Sequence, residues 1–483
     1  MAIYNLLDTL PVEDKIMATI VGTRGINILK GTASADAIYG DTSRTLSVGH
    51  GWNDKLYGFG ANDKLFGDAL TISFSGIGGN DYLYGDLGTG NAGKDYIYGD
   101  AFTMLRYARG GNDVIHGNDG NDALYGDAYV MRNYAKGGID IVHGDNGNDV
   151  VVGDAAYMWN STRGGADRLY GDDGDDTLIG DATQMHDKAI GGNDYLNGGA
   201  GDDFLRGDAY LMDGFSRGGN DKIYSGQSLP DRGDYLFGDA VIMKGHATGG
   251  ADLLHAETSQ LATIYGDAQE MREFARGGND VIYCAPWVTC WGDAWLMSGS
   301  SQGGNDRIYA TSVTIGPSSI TGDATQMRDQ SIGGHDTIIG GITDETILGD
   351  AGEAWGLAKG GNDSLSGGGG YDEIYGDFYK VNGTNVVGGN DTLNGGAGND
   401  TLTGGGGADR FVFARGDGKD VINDFSRTQN DKIDLTAYGF ETFADLTIRD
   451  NAAGNAEVVL AADATITLLG VRAAQMTASD FIL

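Results

Sequence analysis

Hydrophobic and polar positions along the chain follow a short alternation that restarts after each of many aspartates. Residues 113–116 read Asp-Val-Ile-His and residues 122–125 read Asp-Ala-Leu-Tyr, with an aliphatic residue two places after the acid. A period of two over so few residues predicts very short β-strands whose aliphatic side chain faces inward. The inward positions picked out in this way begin with Leu83, Ile97, Ile115, Leu124, Val142, Val151, Leu169 and Leu178.

The alternation belongs to a repeat of 27 residues that divides into three segments of nine. Residues 108–134 form one copy, and the next copy begins at Ala135. A fixed period of this length predicts a solenoid in which each copy forms one rung, with like segments stacked on like. A Gly-Asp pair marks each of twelve copies, with its glycine at Gly67, Gly99, Gly126, Gly153, Gly180, Gly207, Gly238, Gly266, Gly292, Gly322, Gly349 and Gly376.

The third segment of each copy reads Gly-Asp-Ala-x-x-Met and differs from the other two. The spacing of Ala128, Met131 and Ala135 favours one face of a short helix, with Asp127 as its N-cap and Gly137 as its C′ residue. A third strand is the alternative. In either case the methionines predict a packing column, because the flexible thioether normally fills gaps in a core. They are Met104, Met131, Met158, Met185, Met212, Met243, Met271, Met297 and Met327.

The first and second segments each carry an aspartate at a fixed position, which predicts two acidic columns along the solenoid. The first column consists of Asp81, Asp113, Asp140, Asp167, Asp194, Asp221, Asp252, Asp280, Asp306, Asp336, Asp363 and Asp391. The second consists of Asp63, Asp95, Asp122, Asp149, Asp176, Asp203, Asp234 and Asp372. Four copies break the second column with Ala262, Val288, Ser318 and Glu345, and pure nonamers later add Asp400 and Asp409.

Composition makes these columns a candidate metal site. The net charge is −37, which argues against a nucleic-acid partner, since phosphate recognition needs Lys and Arg. The 85 glycines fall at fixed places, as expected of turns that need close backbone approach. Calcium takes six or more hard oxygens, and a glycine-rich turn with one aspartate supplies carbonyl and carboxylate oxygens. Two stacked turns can complete the shell, so the 22 aspartates of the columns are predicted to bind several Ca²⁺ ions.

Two stretches carry a family resemblance. Residues 197–205 (Asn-Gly-Gly-Ala-Gly-Asp-Asp-Phe-Leu) and 394–402 (Asn-Gly-Gly-Ala-Gly-Asn-Asp-Thr-Leu) resemble the RTX, or hemolysin-type calcium-binding, nonapeptide. The resemblance implies an all-β parallel β-roll or β-solenoid of nonapeptide repeats, here with about 27 residues per repeat unit. We therefore expect an N-terminal cap over 1–30, a calcium-binding solenoid over 31–387 and a nonapeptide β-roll over 388–420. A small β-rich cap with a secretion signal is expected over 421–483.

The C-terminal tail resembles the end of type I secreted RTX proteins. The motifs are Asp-Arg-Phe-Val-Phe at 409–413, Asp-Val-Ile-Asn-Asp-Phe at 420–425, Asp-Lys-Ile-Asp-Leu-Thr at 431–436 and Asp-Phe-Ile-Leu at 480–483. This resemblance implies an uncleaved export signal, the type I secretion machinery as a partner and an extracellular or cell-surface location. It agrees with an N-terminus that lacks a Sec signal and with the absence of an apolar stretch of membrane-spanning length.

The sequence predicts a non-enzymatic protein. Two Gly-x-Ser-x-Gly matches, at 214–218 and 299–303, lack the strand–turn–helix context of a nucleophile elbow, and His116 and His143 are expected to be surface or lining residues. The expected role is a structural, surface-layer, matrix or adhesion component that folds on calcium, with self-assembly as one form of it. The alternative is a carbohydrate-active enzyme or lectin that recognises cell-surface polysaccharide near Trp287, Trp291 and Trp295. The pairing of Cys284 with Cys290 stays open.

Overall fold

Each repeat contributes one strand to each of three parallel sheets, and the register follows the 27-residue period. The structure is a computed structural model that describes residues 18–86, 92–227, 233–256, 262–285, 288–310 and 319–483. It divides into two compact units, Met1–Phe204 and Leu205–Leu483. We name the sheets by segment: sheet I follows the first acid, sheet II follows the second acid, and sheet III holds the third segment.

Within the first unit, equivalent residues of successive copies lie side by side. Val114 pairs with Ile141 in sheet I, Ala123 with Val150 in sheet II and Ala128 with Ala155 in sheet III. Sheet I comprises Ile28–Lys30, Lys55–Tyr57, Tyr82–Tyr84, Val114–Asp119, Ile141–Asn146, Arg168–Asp173 and Tyr195–Ala200. Sheet II comprises Ala18–Val21, Asp36–Tyr39, Lys64–Phe66, Tyr96–Tyr98, Ala123–Tyr125, Val150–Val152 and Thr177–Ile179. Sheet III comprises Thr42–His50, Ala69–Ile77, Ala101–Arg106, Ala128–Asn133, Ala155–Asn160 and Ala182–Met185.

The second unit repeats this arrangement, and Phe204–Arg206 spans the boundary between the units. Sheet I comprises Lys222–Tyr224, Leu253–His255, Val281–Cys284, Arg307–Ala310, Thr337–Ile339, Ser364–Gly370, Thr392–Gly398, Arg410–Val412, Lys432–Asp434 and Phe481–Ile482. Sheet II comprises Asp234–Phe237, Ala262–Tyr265, Thr289–Trp291, Ser319–Thr321, Thr346–Leu348, Glu373–Tyr375, Thr401–Thr403, Lys419–Ile422, Thr465–Leu468, Ala456–Val459 and Thr447–Asp450. Sheet III comprises Ala209–Met212, Ala240–Met243, Ala268–Met271, Ala294–Met297, Ala324–Met327, Ala351–Ala354 and Phe378–Val381.

The core is a set of side-chain columns, one from each sheet. Ile115, Leu124 and Met131 are fully buried, and each lies beside its counterpart in the next rung. This confirms the predicted all-β parallel solenoid and the inward positions of the aliphatic residues. The nine predicted methionines are all fully buried, which confirms that this column serves packing.

The preferred helix in the third segment is wrong, and the alternative strand is correct. Ala128 and Met131 are both buried in the strand Ala128–Asn133, with partly exposed residues between them. Asn133 then adopts a left-handed conformation (φ 70°), which turns the chain so that Ala135 is also buried. A strand followed by a left-handed turn thus produces the spacing expected of a helix. Asp127 and Gly137 therefore cap no helix.

The rungs shorten near the C-terminus, where the third segment is missing from the sequence. The Asp391 N–H donates to Asp409 Oδ1 across 18 residues, which is the length of two nonamers. Beyond this point Thr447–Asp450, Ala456–Val459 and Thr465–Leu468 form an antiparallel ribbon, and Phe481 pairs with Ile433. The short helices of the described residues are the 3-10 turns Thr436–Tyr438, Phe443–Asp445, Ala473–Gln475 and Ala478–Asp480. None of the helices described is long and apolar enough to cross a membrane.

Candidate calcium-binding turns

The first acidic column lies at the turns that lead into sheet I. Each aspartate uses one carboxylate oxygen to bind the rung before it. The Asp113 N–H donates to Asp140 Oδ1 at 2.7 Å, and the Asp140 N–H donates to Asp167 Oδ1 at 2.8 Å. The Oδ2 atoms of Asp113, Asp140 and Asp167 are buried, and no hydrogen-bond donor reaches them. A buried carboxylate oxygen without a donor is costly, so these atoms are suited to bind a cation.

A glycine opens the space into which each of these oxygens points. A Cβ atom at Gly126 would lie 2.3 Å from Asp140 Oδ2 and 1.7 Å from the carbonyl oxygen of Gly153 in the next rung. Only glycine fits here, and its absent side chain leaves a carboxylate and a carbonyl oxygen close together. Hard oxygens from two rungs are the donors that Ca²⁺ prefers. The residues present therefore fit calcium, which would neutralise the column and hold successive rungs together.

The second acidic column repeats this geometry at the turns into sheet II. The Asp95 N–H donates to Asp122 Oδ1 and the Asp122 N–H to Asp149 Oδ1, both at 2.7 Å. A Cβ atom at Gly144 would lie 2.7 Å from Asp149 Oδ2 and 2.6 Å from the Gly171 carbonyl oxygen. Burial raises the pKa of Asp122 to about 9 and that of Asp149 to about 7. In the metal-free chain these carboxylates therefore resist ionisation.

All 22 predicted ligands are buried, and within each unit the structure groups them by rung into these two columns. The columns also continue past the predicted residues. The Asp36 N–H donates to Asp63 Oδ1 and the Asp54 N–H to Asp81 Oδ1, while Asp420 and Asp431 extend the other end. Sequence reasoning missed these four because their turns depart from the glycine pattern. The signal that would have found them is an acid followed two places later by Ile or Leu, as in the predicted columns.

The breaks in the second column are of two kinds. Ala262 and Val288 place buried apolar groups where the acid would be, and Ser318 lies outside the described residues. Glu345, expected as a break, instead keeps the acid: it is buried, its N–H donates to Asp372 Oδ1 at 2.8 Å, and its carboxylate accepts hydrogen bonds from Gly341 and Thr343. The longer side chain reaches the same turn.

A disulfide closes the turn that contains Val288. Cys284 and Cys290 are bonded, with their Cα atoms 6.5 Å apart, so the strands Val281–Cys284 and Thr289–Trp291 are covalently linked. The link joins the sheet I strand to the sheet II strand at a turn that has no carboxylate of its own. The disulfide therefore closes this turn, whereas most other rungs have an aspartate at the equivalent position.

A third acidic column was missed, because the Gly-Asp pair was treated only as a marker of phase. Asp127 is fully buried, and the Gly138 N–H donates to its Oδ1 at 2.9 Å. The same contact across 11 residues closes the third segment in other rungs. The recurrence of an acid in every copy was the available signal. The column comprises Asp41, Asp68, Asp100, Asp127, Asp154, Asp181, Asp208, Asp239, Asp267, Asp293, Asp323, Asp350 and Asp377.

His116 and His143 lie half-buried on the outer face of sheet I, as expected. Their rings stack with centroids 4.8 Å apart, and His116 Nδ1 lies 3.0 Å from Asp145 Oδ2. Burial acts to raise the pKa of Asp145, but the hydrogen bond and charge of His116 outweigh it, and the pKa is lowered. His143 makes the equivalent contact with Asp172 at 2.9 Å. These pairs tie neighbouring rungs together from outside the core.

Two of the tryptophans expected to mark a sugar-binding face, Trp291 and Trp295, lie on different sheets. Trp291 stacks on Tyr265 with centroids 4.8 Å apart, and Tyr265 stacks on Phe237 at 5.1 Å. These rings cover one another's faces. Trp295 is 37% exposed on sheet III, and Trp287 lies outside the described residues. Recognition of polysaccharide here stays a prediction.

Comparison with known proteins matches several of these turns to a known repeat family. The model of the RTX calcium-binding nonapeptide repeat (4 copies) family matches residues 19–43, 49–69, 107–128, 134–156, 161–183, 190–209, 357–378 and 387–422. A solution structure of the AlgE6R3 subunit from the Azotobacter vinelandii mannuronan C5-epimerase is 31% identical, with a TM-score of 0.23. The match covers 30% of this chain and 80% of that chain. No curated protein matches.

Each family match includes buried acidic turns, although other buried acidic turns, such as those at Asp81, Asp221 and Asp280, lie outside the matches. The matches pass over residues 210–356, which include Ala262, Val288 and Glu345, where the second column departs from the pattern. Outside that stretch the matched segments carry the aspartates and glycines described above. The chain is therefore an all-β parallel β-solenoid that contains RTX calcium-binding nonapeptide repeats in the matched segments, and its architecture matches that of an RTX β-roll.

Proposed function

We propose that this protein is a secreted, non-enzymatic structural component that folds when its repeats bind calcium outside the cell. It would act in a surface layer, an extracellular matrix or adhesion, with self-assembly as one form of that role. The observation that carries the proposal is the set of buried carboxylate oxygens without donors in one turn after another, as at Asp113, Asp140 and Asp167. A chain that consists mainly of rungs held together by calcium suits a mechanical or spacing role.

Calcium would act here as a folding switch. Without the ion, like charges repel within each column, and the strands are too short to persist alone. Binding to the folded state stabilises it by mass action, so the free energy of calcium binding becomes free energy of folding. Extracellular calcium modules bind at about 10⁻⁴–10⁻³ M, which separates a low-calcium cytosol from the outside. The chain would therefore pass through a secretion channel unfolded and fold on the far side.

The absence of catalysis is supported by the two serines of the Gly-x-Ser-x-Gly matches. Ser216 and Ser301 are both fully buried. Each follows a glycine in the left-handed conformation, Gly214 and Gly299, in the turn after a sheet III strand. A nucleophile must reach its substrate, and these hydroxyls face the core. The two matches therefore share the sequence pattern of a nucleophile elbow but not its exposed serine.

The proposal is tested by export and by electron microscopy. Cells that express a type I transporter should export the full chain, and deletion of residues 421–483 should abolish export while leaving cytoplasmic expression intact. The exported chain, imaged with and without millimolar calcium, should be ordered only with calcium. Export that is independent of 421–483, or catalytic turnover of a polysaccharide by the calcium-bound chain, would overturn the proposal.

A further inference from the structure

The aspartates of the Gly-Asp pairs, which form the third acidic column, are a further set of buried carboxylates. They lie where each third segment begins. In the second unit Asp267, Asp293 and Asp323 are fully buried. They stack rung on rung, because the Asp267 N–H donates to the Asp293 carbonyl oxygen and the Asp293 N–H to that of Asp323, both at 3.2 Å. Their side chains therefore form a column beside the first acidic column.

One oxygen of each carboxylate closes the third segment. The Gly278 N–H donates to Asp267 Oδ1 and the Gly304 N–H donates to Asp293 Oδ1, both at 2.6 Å. This contact joins the two ends of the segment across 11 residues. An asparagine oxygen would accept the same hydrogen bond, so closure of the segment does not require a negative charge.

The other oxygen is buried and has no donor. Oδ2 of Asp267 and Oδ2 of Asp293 both lack a hydrogen-bond partner. A Cβ atom at Gly277 would lie 2.0 Å from Asp267 Oδ2 and 2.4 Å from Asp293 Oδ1, so oxygens from successive rungs converge on one glycine. Carboxylates buried without a partner are strongly unfavourable, and the arrangement calls for a neutralising group between the rungs.

The first acidic column lies beside these carboxylates. A Cβ atom at Gly266, the residue before Asp267, would lie 2.6 Å from Asp280 Oδ2. A Cβ atom at Gly292, the residue before Asp293, would lie 2.3 Å from Asp306 Oδ2. Asp280 and Asp306 also have a buried Oδ2 without a donor. Each rung thus brings two carboxylates together, and their combined charge of −2 matches one divalent cation.

We propose that the Gly-Asp carboxylates are calcium ligands, so that each rung holds calcium between one Gly-Asp aspartate and one first-column aspartate. The inference rests on the calcium-held solenoid proposed above and adds ligands outside the nonapeptide position that the sequence predicts. This proposal explains why the third segment can be inserted into a calcium-binding turn. The Gly-Asp aspartate closes the segment and also supplies a ligand in place of those that the insertion displaces. Calcium is favoured because six or more hard oxygens suit it.

Calcium stoichiometry tests the proposal directly. The full chain with Asp267→Asn and Asp293→Asn keeps the acceptors for Gly278 and Gly304 but loses two charges. The matched control is Asp329→Asn, an exposed aspartate that also accepts a backbone N–H, from Gly299 at 3.0 Å. In equilibrium dialysis, the double variant should lose bound calcium or weaken it about 10-fold or more, the scale seen when groups around a metal are altered. The control should match the wild type.

Wild-type stoichiometry and affinity in the double variant would overturn the proposal, because a purely closing role needs no charge. If the double variant does not fold, a crystal structure of the wild-type chain with calcium decides the matter. Asp267 Oδ2 should then lie about 2.3–2.6 Å from a calcium ion. Calcium bound by Asp280 with no contact to Asp267 would overturn this inference alone, whereas a wild-type chain that binds no calcium would overturn the proposed function as well.

Discussion

Acidification should fold the calcium-free chain. Asp149 and Asp409 are both buried, and burial raises the pKa of each to about 7, against a usual value of 3.8. A carboxyl group whose pKa is higher in the folded state favours folding below its unfolded pKa, and this contribution is lost as pH rises through the folded pKa. At pH 7 each such group costs about 4 kcal/mol of folding free energy, since one pKa unit is worth about 1.4 kcal/mol.

The size of this cost makes the effect measurable. Between pH 7 and pH 5 the penalty of each group falls by about 2 kcal/mol, and a typical domain has only about 5–15 kcal/mol of stability. Removal of this penalty at a few such aspartates therefore increases the folded fraction of the chain measurably. The assay is far-UV circular dichroism in calcium-free buffer from pH 7.5 to pH 5. The β signal should rise on acidification, and Asp149→Asn should shift its midpoint to higher pH.

A calcium-free signal that is unchanged between the two pH values, or that decreases on acidification, would refute this reasoning. The comparison at saturating calcium supplies the control. There the carboxylates act as ligands, so acidification should leave the β signal constant or reduce it by competition of protons for the metal. The two conditions must therefore respond differently to pH if buried carboxylates set the stability of the fold.

Three further predictions concern single positions, with stability measured by urea denaturation in saturating calcium and calcium binding measured by equilibrium dialysis. Met131→Ala should lower the free energy of unfolding by about 2–5 kcal/mol through the cavity it leaves, whereas Val130→Ala on the partly exposed face should cost less. Gly126→Ala should weaken calcium binding, because its Cβ would lie 1.7 Å from the Gly153 carbonyl oxygen; unchanged affinity would contradict the cradle. Cys290→Ser should cost about 2 kcal/mol without changing calcium stoichiometry, and a lost ion would show that this turn binds metal.

The strands and both predicted acidic columns could be read from the sequence because each depends on a local pattern. Ile115 and Leu124 follow an acid at a fixed distance, and stacking in register needs no more information than the repeat itself. In a solenoid each repeat contacts only its neighbouring copies, and equivalent residues of successive copies lie side by side. A period therefore predicts register, burial and the grouping of the aspartates by rung.

The third segment could not be read in this way. The spacing of Ala128, Met131 and Ala135 fits a helix, and only the left-handed turn at Asn133 reveals why a strand gives the same set of buried positions. The role of Asp127 depends on closure of the segment onto Gly138, a contact that periodicity does not encode. The sequence predicts a break at Glu345, whereas its longer side chain accepts hydrogen bonds within the same turn.

We infer that calcium, and not the polypeptide alone, makes this chain fold at neutral pH. Small-angle X-ray scattering of the full chain at pH 7.5 tests it most directly, with chelator and then with millimolar calcium. With chelator the radius of gyration should be near the unfolded value for 483 residues, about 80 Å. Calcium should reduce it sharply. A chain that is equally compact in chelator and in calcium would contradict the account.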